Sequence, residues 1–217
     1  MTDERNLTFF HCPQTRSSTT RVILDELGVP YDMQVMNLKA GENRNEAYLK
    51  INPLGKVPAI RHGETVITEQ VAIALYLGDL FPEAGLAPTI SDPDRGAYLR
   101  WMIFYAASFE PAVVDKAQAR EPSPEAMSVY GSYDQVLDIL EEALSQGPYL
   151  LGQRFSIADI QWASALHWTM MFGAVPERPA FSAYRDRIIA RPIFQNVFAS
   201  DQNLAEAHQA ELKAREK

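Results

Sequence analysis

The chain has 217 residues, 47% hydrophobic and 22% charged, with a formal net charge of −8 at pH 7; this suits one large or two small globular domains and argues against nucleic acid or an anionic membrane surface as the main partner. One cysteine, Cys12, excludes an internal disulfide and a cysteine-rich metal site, and the four histidines at 11, 62, 167 and 208 lack ligand spacing, so no metal is expected. The charged N-terminus has no signal-peptide core and no run approaches the roughly 18 apolar residues of a membrane span, which makes a reducing cytoplasmic compartment the default.

Residues 7–10 read as a short buried strand. Residues 17–27 read as a helix, with Val22, Ile23, Leu24 and Leu27 apolar and Gly28 as a natural stop. A strand-like alternation follows over 31–36, then a short polar helix over 42–50 that ends before Pro53. Residues 57–61 and 66–67 form a hairpin around His62-Gly63-Glu64, and 69–80 carry a broad apolar helical face. The order βαβ-α-ββα, with its crossover and terminal hairpin, is the thioredoxin-like arrangement. The stretch 82–91 is punctuated by Pro and Gly and reads as a linker. Everything after it reads as helix: one long helix over 94–120 bent near Pro111, then 125–144, 156–171, 181–190 and 192–199. The tail 204–217 lacks a strong apolar stripe and is expected to fray. The expectation is therefore an α/β domain over 1–81, a linker over 82–91 and an all-α domain over 92–217.

The motif that carries most chemistry is Asn52-Pro-Leu-Gly-Lys-Val-Pro-Ala-Ile60, followed by Thr68-Glu-Gln70. Pro58 has no backbone N–H and belongs at a strand start or an edge, and Val57 before it is biased toward extended backbone. The segment can thus offer an unpaired extended main chain beside a helix N-terminus, a surface suited to capturing a small peptide. It resembles the tripeptide-binding core of the cytosolic glutathione transferases, and the resemblance extends over nearly the whole chain. It implies a cis Pro58, with Val57 and Pro58 clamping the backbone of the cysteinyl unit of glutathione. It implies that Glu69 and Gln70 hold the γ-glutamyl end: a carboxylate pairs with the ligand ammonium, and helix N-terminal N–H groups take its carboxylate. The family usually has Ser where Gln70 stands. Lys56, with Asn43 or Arg44, is the implied contact for the glycyl carboxylate.

The resemblance also places the thiol-activating group in His11-Cys-Pro-Gln-Thr-Arg-Ser-Ser18, the loop entering the first helix. Thr15 and Ser17 are the candidate hydroxyls, with Arg16 as a nearby cation. A free thiol has a pKa near 8.5, and lowering it by about two units requires roughly 2.7 kcal/mol of thiolate stabilisation, within reach of a hydroxyl donor, a helix dipole and a guanidinium together. Helix capping is the plain alternative for both hydroxyls. The implied activity is conjugation of the glutathione thiolate to a small apolar electrophile, a detoxification chemistry, by a homodimer with glutathione as co-substrate. Tyr105 and Ser108, three apart on the long helix, are the candidates for an electrophile site in the cleft between the domains. Phe155-Ser-Ile-Ala-Asp159 resembles a folding signature of the family's helical domain, a capping box at Ser156 and Asp159. Two other readings stay open: glutathione-dependent reduction of peroxides or disulfides through Cys12, and a binding module that keeps the fold without catalysis.

Overall fold

A computed structural model of the chain describes residues 6–121 and 123–215. Two compact units emerge. One runs to Ala84 and resumes at Pro192; the other is Gly85–Arg191. Helix 192–215, assigned from sequence to the all-α domain, thus groups with the sheet.

The first unit is built on strands β1 (Leu7–His11), β2 (Tyr31–Val35), β3 (Ala59–His62) and β4 (Thr65–Ile67) in the order β2-β1-β3-β4, with β1 and β2 parallel and the other pairs antiparallel. Helix α1 (Arg16–Leu27) makes the crossover and ends at Gly28 in the left-handed conformation, as the sequence implied. Period-two alternation sends Leu7 and Phe9 of β1 into one core with Val22, Ile23 and Leu24 of α1 and Ile73 and Leu77 of α3 (Gln70–Leu80). Phe10 and Cys12 pack on the other face with Met36, Tyr48, Val57 and Ala59. The polar helix expected over 42–50 is instead two 3-10 turns, Leu38–Ala40 and Glu42–Arg44, and a single α-turn, α2 (Glu46–Leu49). Gly41, at φ 80°, and the capping side chains of Asn37 and Asn45 divide the segment.

Residues 192–199 and the tail form one continuous helix, α9 (Pro192–Arg215), rather than a short helix and a frayed end; Lys217 and its neighbour lie outside the described residues. Its first half buries Phe194, Val197 and, unusually, the charged Asp201. The tail lacks a strong apolar stripe, and spacing alone gives no sign that the buried Asp201 carries the helix on into it.

The second unit is helical throughout: α4 (Arg95–Phe104), α5 (Glu110–Ala117), α6 (Tyr133–Ser145), α7 (Ile157–Met171) and α8 (Pro179–Ile189). The long helix expected over 94–120 is interrupted at Tyr105–Phe109 by a π-helical segment just before Pro111. Pro111 has no N–H to return to the preceding turn, and the extra residue is absorbed there. Trp162 of α7 forms the centre of an aromatic core with Trp101, Phe104, Tyr105 and Phe109, and its indole N–H donates to the Trp101 carbonyl at 3.0 Å. The helix expected from residue 125 starts only at Tyr133, capped by Ser132 and Gln135.

At the start of α7, Asp159 accepts from the Ser156 N–H at 2.8 Å and hydroxyl at 3.0 Å, from the Leu150 N–H at 2.9 Å and from the Tyr184 hydroxyl at 2.8 Å. Burial raises the carboxyl pKa against these bonds. Asp159→Ala leaves several buried donors without a partner, at about 1–3 kcal/mol for each group. We expect a fall in Tm of at least about 5 °C, measured by circular dichroism, with the folded-state spectrum retained.

Candidate active site

The loop from β1 to α1 gathers the polar groups of the first unit. His11, the last residue of β1, lies on the same strand face as Leu7 and Phe9 and is completely buried. Its ring nitrogens are both engaged: Nδ1 lies 2.9 Å from the Ser17 Oγ and Nε2 lies 3.0 Å from the Asp201 Oδ1. Thr15 is the N-cap of α1, in extended backbone at φ −128°, and its Oγ1 accepts the Ser17 N–H at 3.2 Å. The two candidate hydroxyls are 2.8 Å apart, and both reach the Cys12 carbonyl, Thr15 at 2.8 Å and Ser17 at 2.9 Å. They differ in access. Thr15 is half-buried, whereas Ser17 has no exposed surface and also accepts the Cys12 N–H at 3.0 Å.

Asp201 of α9 organises the far side of this loop. Besides His11 it accepts from the Ser18 hydroxyl, from Arg21 at 2.8 Å and from the Gln14 N–H at 3.4 Å. Gln14, in left-handed backbone at φ 57°, also donates through its side chain to Gln202 of α9 at 2.9 Å. Burial works to raise the Asp201 carboxyl pKa, but the hydrogen bonds from His11 and Ser18 and the positive charge of Arg21 hold it below its ordinary value.

The Val57–Pro58 bond is cis, as the resemblance implied. Val57 lies outside the β3 ladder, which begins at Ala59. The loop before it is held by its neighbours. The Lys56 carbonyl accepts from the Tyr48 hydroxyl at 2.6 Å and the buried Asn52 amide at 2.9 Å. Asn43 donates to the Gly55 carbonyl at 2.7 Å and Arg44 to the Leu54 carbonyl at 3.2 Å, so these two side chains support the loop. Gly55 is required: at φ +60° a Cβ would meet Arg44 and the Asn43 carbonyl at 2.8 Å. The Lys56 side chain is exposed. Glu69, also exposed, adopts φ 65°, a conformation costly for a residue with a Cβ, immediately before α3. Gln70 is buried and its amide donates to the Arg16 carbonyl at 3.2 Å, tying the start of α3 to the start of α1.

Thr15 lines a cavity of about 280 Å³ together with Cys12, Pro13, Asn37, Leu38 and His208. The N-terminus of α1 opens at Thr15, so its positive dipole end lies where an anion would be favoured. Cys12 is nearly buried, and that burial raises its thiol pKa, which keeps it protonated. Arg16 is exposed at the first position of the helix. In the second unit Tyr105 is 5% exposed, stacked on Phe109 and edge-on to Trp162, while Ser108 is partly exposed. The π segment is why two residues three apart differ in burial: the i, i+3 rule assumes α-helical pitch. Among the described residues there is no cluster of His, Cys, Asp or Glu able to hold a metal ion, and no helix long and apolar enough to cross a membrane.

Two residues of the site were not singled out from sequence. His11 stood in the candidate loop, but its partner is 190 positions away. Asp201 offered one signal, a lone acid among Phe194, Val197 and Phe198, which sequence spacing alone cannot pair with a histidine.

A four-stranded βαβ-ββα unit with a cis-proline loop, carried on one chain with an all-helical unit, defines the thioredoxin-like class with a helical companion. Comparison with known proteins narrows this. Residues 5–79 match the family model for the glutathione S-transferase N-terminal domain and residues 100–192 that for the C-terminal domain. The chain belongs to the glutathione S-transferase family. A glutathione S-transferase of Hyoscyamus muticus is 28% identical over 84% of this chain and 93% of its own, and the glutathione S-transferase GstA of Escherichia coli O157:H7 is 26% identical over 88% and 97%. Among solved structures, a glutathione transferase of Methylococcus capsulatus superposes with a TM-score of 0.76 at 28% identity, over 90% of this chain and 98% of that one. A sphingomonad glutathione S-transferase complexed with glutathione gives 0.74 at 29% identity, over the same shares.

The Asp201 contacts have a pH signature. A carboxyl whose folded pKa is lowered contributes stability that is present above its unfolded value, near 3.9, and is lost as pH falls through the folded value. We expect Asp201→Asn to lower Tm at pH 7, and the gap between variant and parent to begin closing once the pH falls below about 4, the unfolded value, and to go on closing as it passes through the lower folded value. A gap that stays constant over that range assigns the stability to some other group.

Proposed function

We propose that the protein is a glutathione transferase in the enzymatic sense, conjugating the thiolate of glutathione to a small apolar electrophile, in the cytoplasm and as a homodimer. The observation that carries this is the Thr15 hydroxyl: it caps α1 and lines the cavity, and by turning from the Cys12 carbonyl, 2.8 Å away, it can donate to a sulfur seated at the helix N-terminus. Ser17 has no exposed surface and acts on the sulfur only through Thr15. The cis Val57–Pro58 step, outside the strand ladder, is the edge on which the cysteinyl backbone pairs. Glu69 takes the γ-glutamyl ammonium and the α3 N-terminus, beginning at Gln70, its carboxylate. Lys56 and Arg16, both exposed, supply positive charge toward the ligand's carboxylate and thiolate. The first domain holds the tripeptide, and the helical domain after the 82–91 linker supplies the electrophile site. There Ser108 offers a partly exposed hydroxyl on the π segment, while Tyr105 packs against Phe109 and Trp162.

The gain in rate comes from a lowered thiol pKa and from positioning the thiolate. The reductase alternative through Cys12 is not favoured, because a buried, protonated thiol is a poor nucleophile.

Two outcomes test the reading. Bound glutathione should show the ultraviolet absorbance of a thiolate at neutral pH, and Thr15→Ala should reduce both that signal and kcat/KM for a generic aryl halide, the latter about 10- to 100-fold, the worth of one hydrogen bond to a charged group. Glutathione that binds without a thiolate signal identifies a binding module instead. Cys12→Ser should retain conjugation at close to the parent rate; loss of all turnover transfers the chemistry to Cys12.

A further inference from the structure

We propose that Asp201 and His11 work with Ser17 and Thr15 as a proton relay that takes the thiol proton of the bound ligand into the protein interior. This rests on the reading of Thr15 as the group that meets the glutathione sulfur, and extends it to two positioning residues that never touch the ligand. The geometry is a continuous chain: Asp201 Oδ1 to His11 Nε2 at 3.0 Å, His11 Nδ1 to Ser17 Oγ at 2.9 Å, and Ser17 Oγ to Thr15 Oγ1 at 2.8 Å. Its inner three members are buried, and only Thr15 opens to the cavity.

Hydrogen-bond bookkeeping gives the chain a direction. Asp201 is an anionic acceptor, so it takes the proton on Nε2 and leaves Nδ1 of a neutral ring as the acceptor. In the relay arrangement Ser17 turns its hydroxyl from the Cys12 carbonyl, 2.9 Å away, to Nδ1, Thr15 turns from the same carbonyl at 2.8 Å to Ser17 Oγ, and Ser17 keeps the Cys12 N–H as a donor to it. In this state the chain can accept a proton at its cavity end. The thiol S–H bond breaks and its proton joins Thr15 Oγ1; the Thr15 proton passes to Ser17 Oγ, and the Ser17 proton passes to His11 Nδ1. The products are a thiolate and an imidazolium beside the Asp201 carboxylate.

The transfer also reverses every donor. Ser17 now accepts from Nδ1–H and from the Cys12 N–H and donates to Thr15, which already holds the Ser17 N–H, so the Thr15 hydroxyl points at the sulfur it has just deprotonated. When the thioether forms, the proton returns along the same path to the leaving group or to water. An ordinary docking staple for α9 needs the Asp201–His11 contact but needs neither a buried base in line with two hydroxyls nor an exit at the cavity. The other charged groups that face the network are Arg21 on Asp201, Lys39 and His208 at the cavity, and Glu42, whose charge acts on Cys12.

The test uses the full-length protein with glutathione and with S-methylglutathione, which has the same body and no thiol proton. In nitrogen-15 spectra of the histidine rings, His11, assigned by its loss in His11→Asn, should be neutral in the free protein, become imidazolium on binding glutathione at pH 7, and stay neutral on binding S-methylglutathione. A ring already charged in the free protein, or one that responds equally to both ligands, overturns the relay. In parallel, His11→Asn and Asp201→Asn should raise the pKa of the bound thiol, read from its ultraviolet thiolate band, by at least about one unit, a tenfold loss of thiolate at neutral pH. The dissociation constant for S-methylglutathione should change less than about threefold. Weaker binding of S-methylglutathione with an unshifted thiol pKa leaves the pair a structural staple and overturns the relay. If the parent protein binds S-methylglutathione and forms thiolate while His11 stays neutral, the relay fails and the transferase reading stands. If it binds neither ligand, both fail. The ring spectra of the parent decide the matter even where a variant does not fold.

Discussion

The structure of the first unit depends on one buried carboxylate. Asp201 is 3% exposed, and so deep a charge is tolerated only because it is matched by Arg21 and hydrogen-bonded by His11 and Ser18. Each of those partners lies in β1, α1 or the loop joining them. A long C-terminal helix is thereby fixed to the segment that positions Thr15. Removing any one partner leaves a buried charge incompletely satisfied, a cost that apolar packing of α9 does not carry.

That constraint explains why local cues around the site point to more than one use. Thr15 and Ser17 look interchangeable as helix-capping hydroxyls, but a strand face decides between them. The alternation of β1 sends His11 inward with Phe9, His11 draws Ser17 into the interior, and Thr15 is left at the cavity. Similarly, Asn43 and Arg44 offer polar groups suited to a ligand carboxylate, yet both carry the backbone of the loop before Pro58. The loop with the unusual peptide bond is therefore a supported platform, held from beneath by Tyr48, Asn52, Asn43 and Arg44.

The helical unit shows the same division between local and long-range causes. Ser156 and Asp159 are legible as a helix start because capping is a three-residue event. The participation of Tyr184 and Leu150 in that cap is not, since it arises when α8 and the preceding turn fold onto it. Pro111 signals a disturbed helix, but a proline bend and a π segment have the same local signature. Only the structure shows the π segment, in which Tyr105 and Phe109 both seat against Trp162.

By itself the sequence determined the order of the strands and the crossover helix, the left-handed stop at Gly28, the hairpin, the cap at Ser156, the family and the motif around Pro58. All of these are set by contacts within a few residues or by long exact runs. Only the tertiary structure decided that α9 continues through Asp201 and belongs with the sheet, that Ser17 is buried behind Thr15, and that His11 joins a carboxylate 190 residues away. The physical reason is that burial is a property of the assembled surface. A polar side chain in sequence carries no mark of whether it faces water or a partner, and the partner that makes its burial affordable is brought to it only by folding.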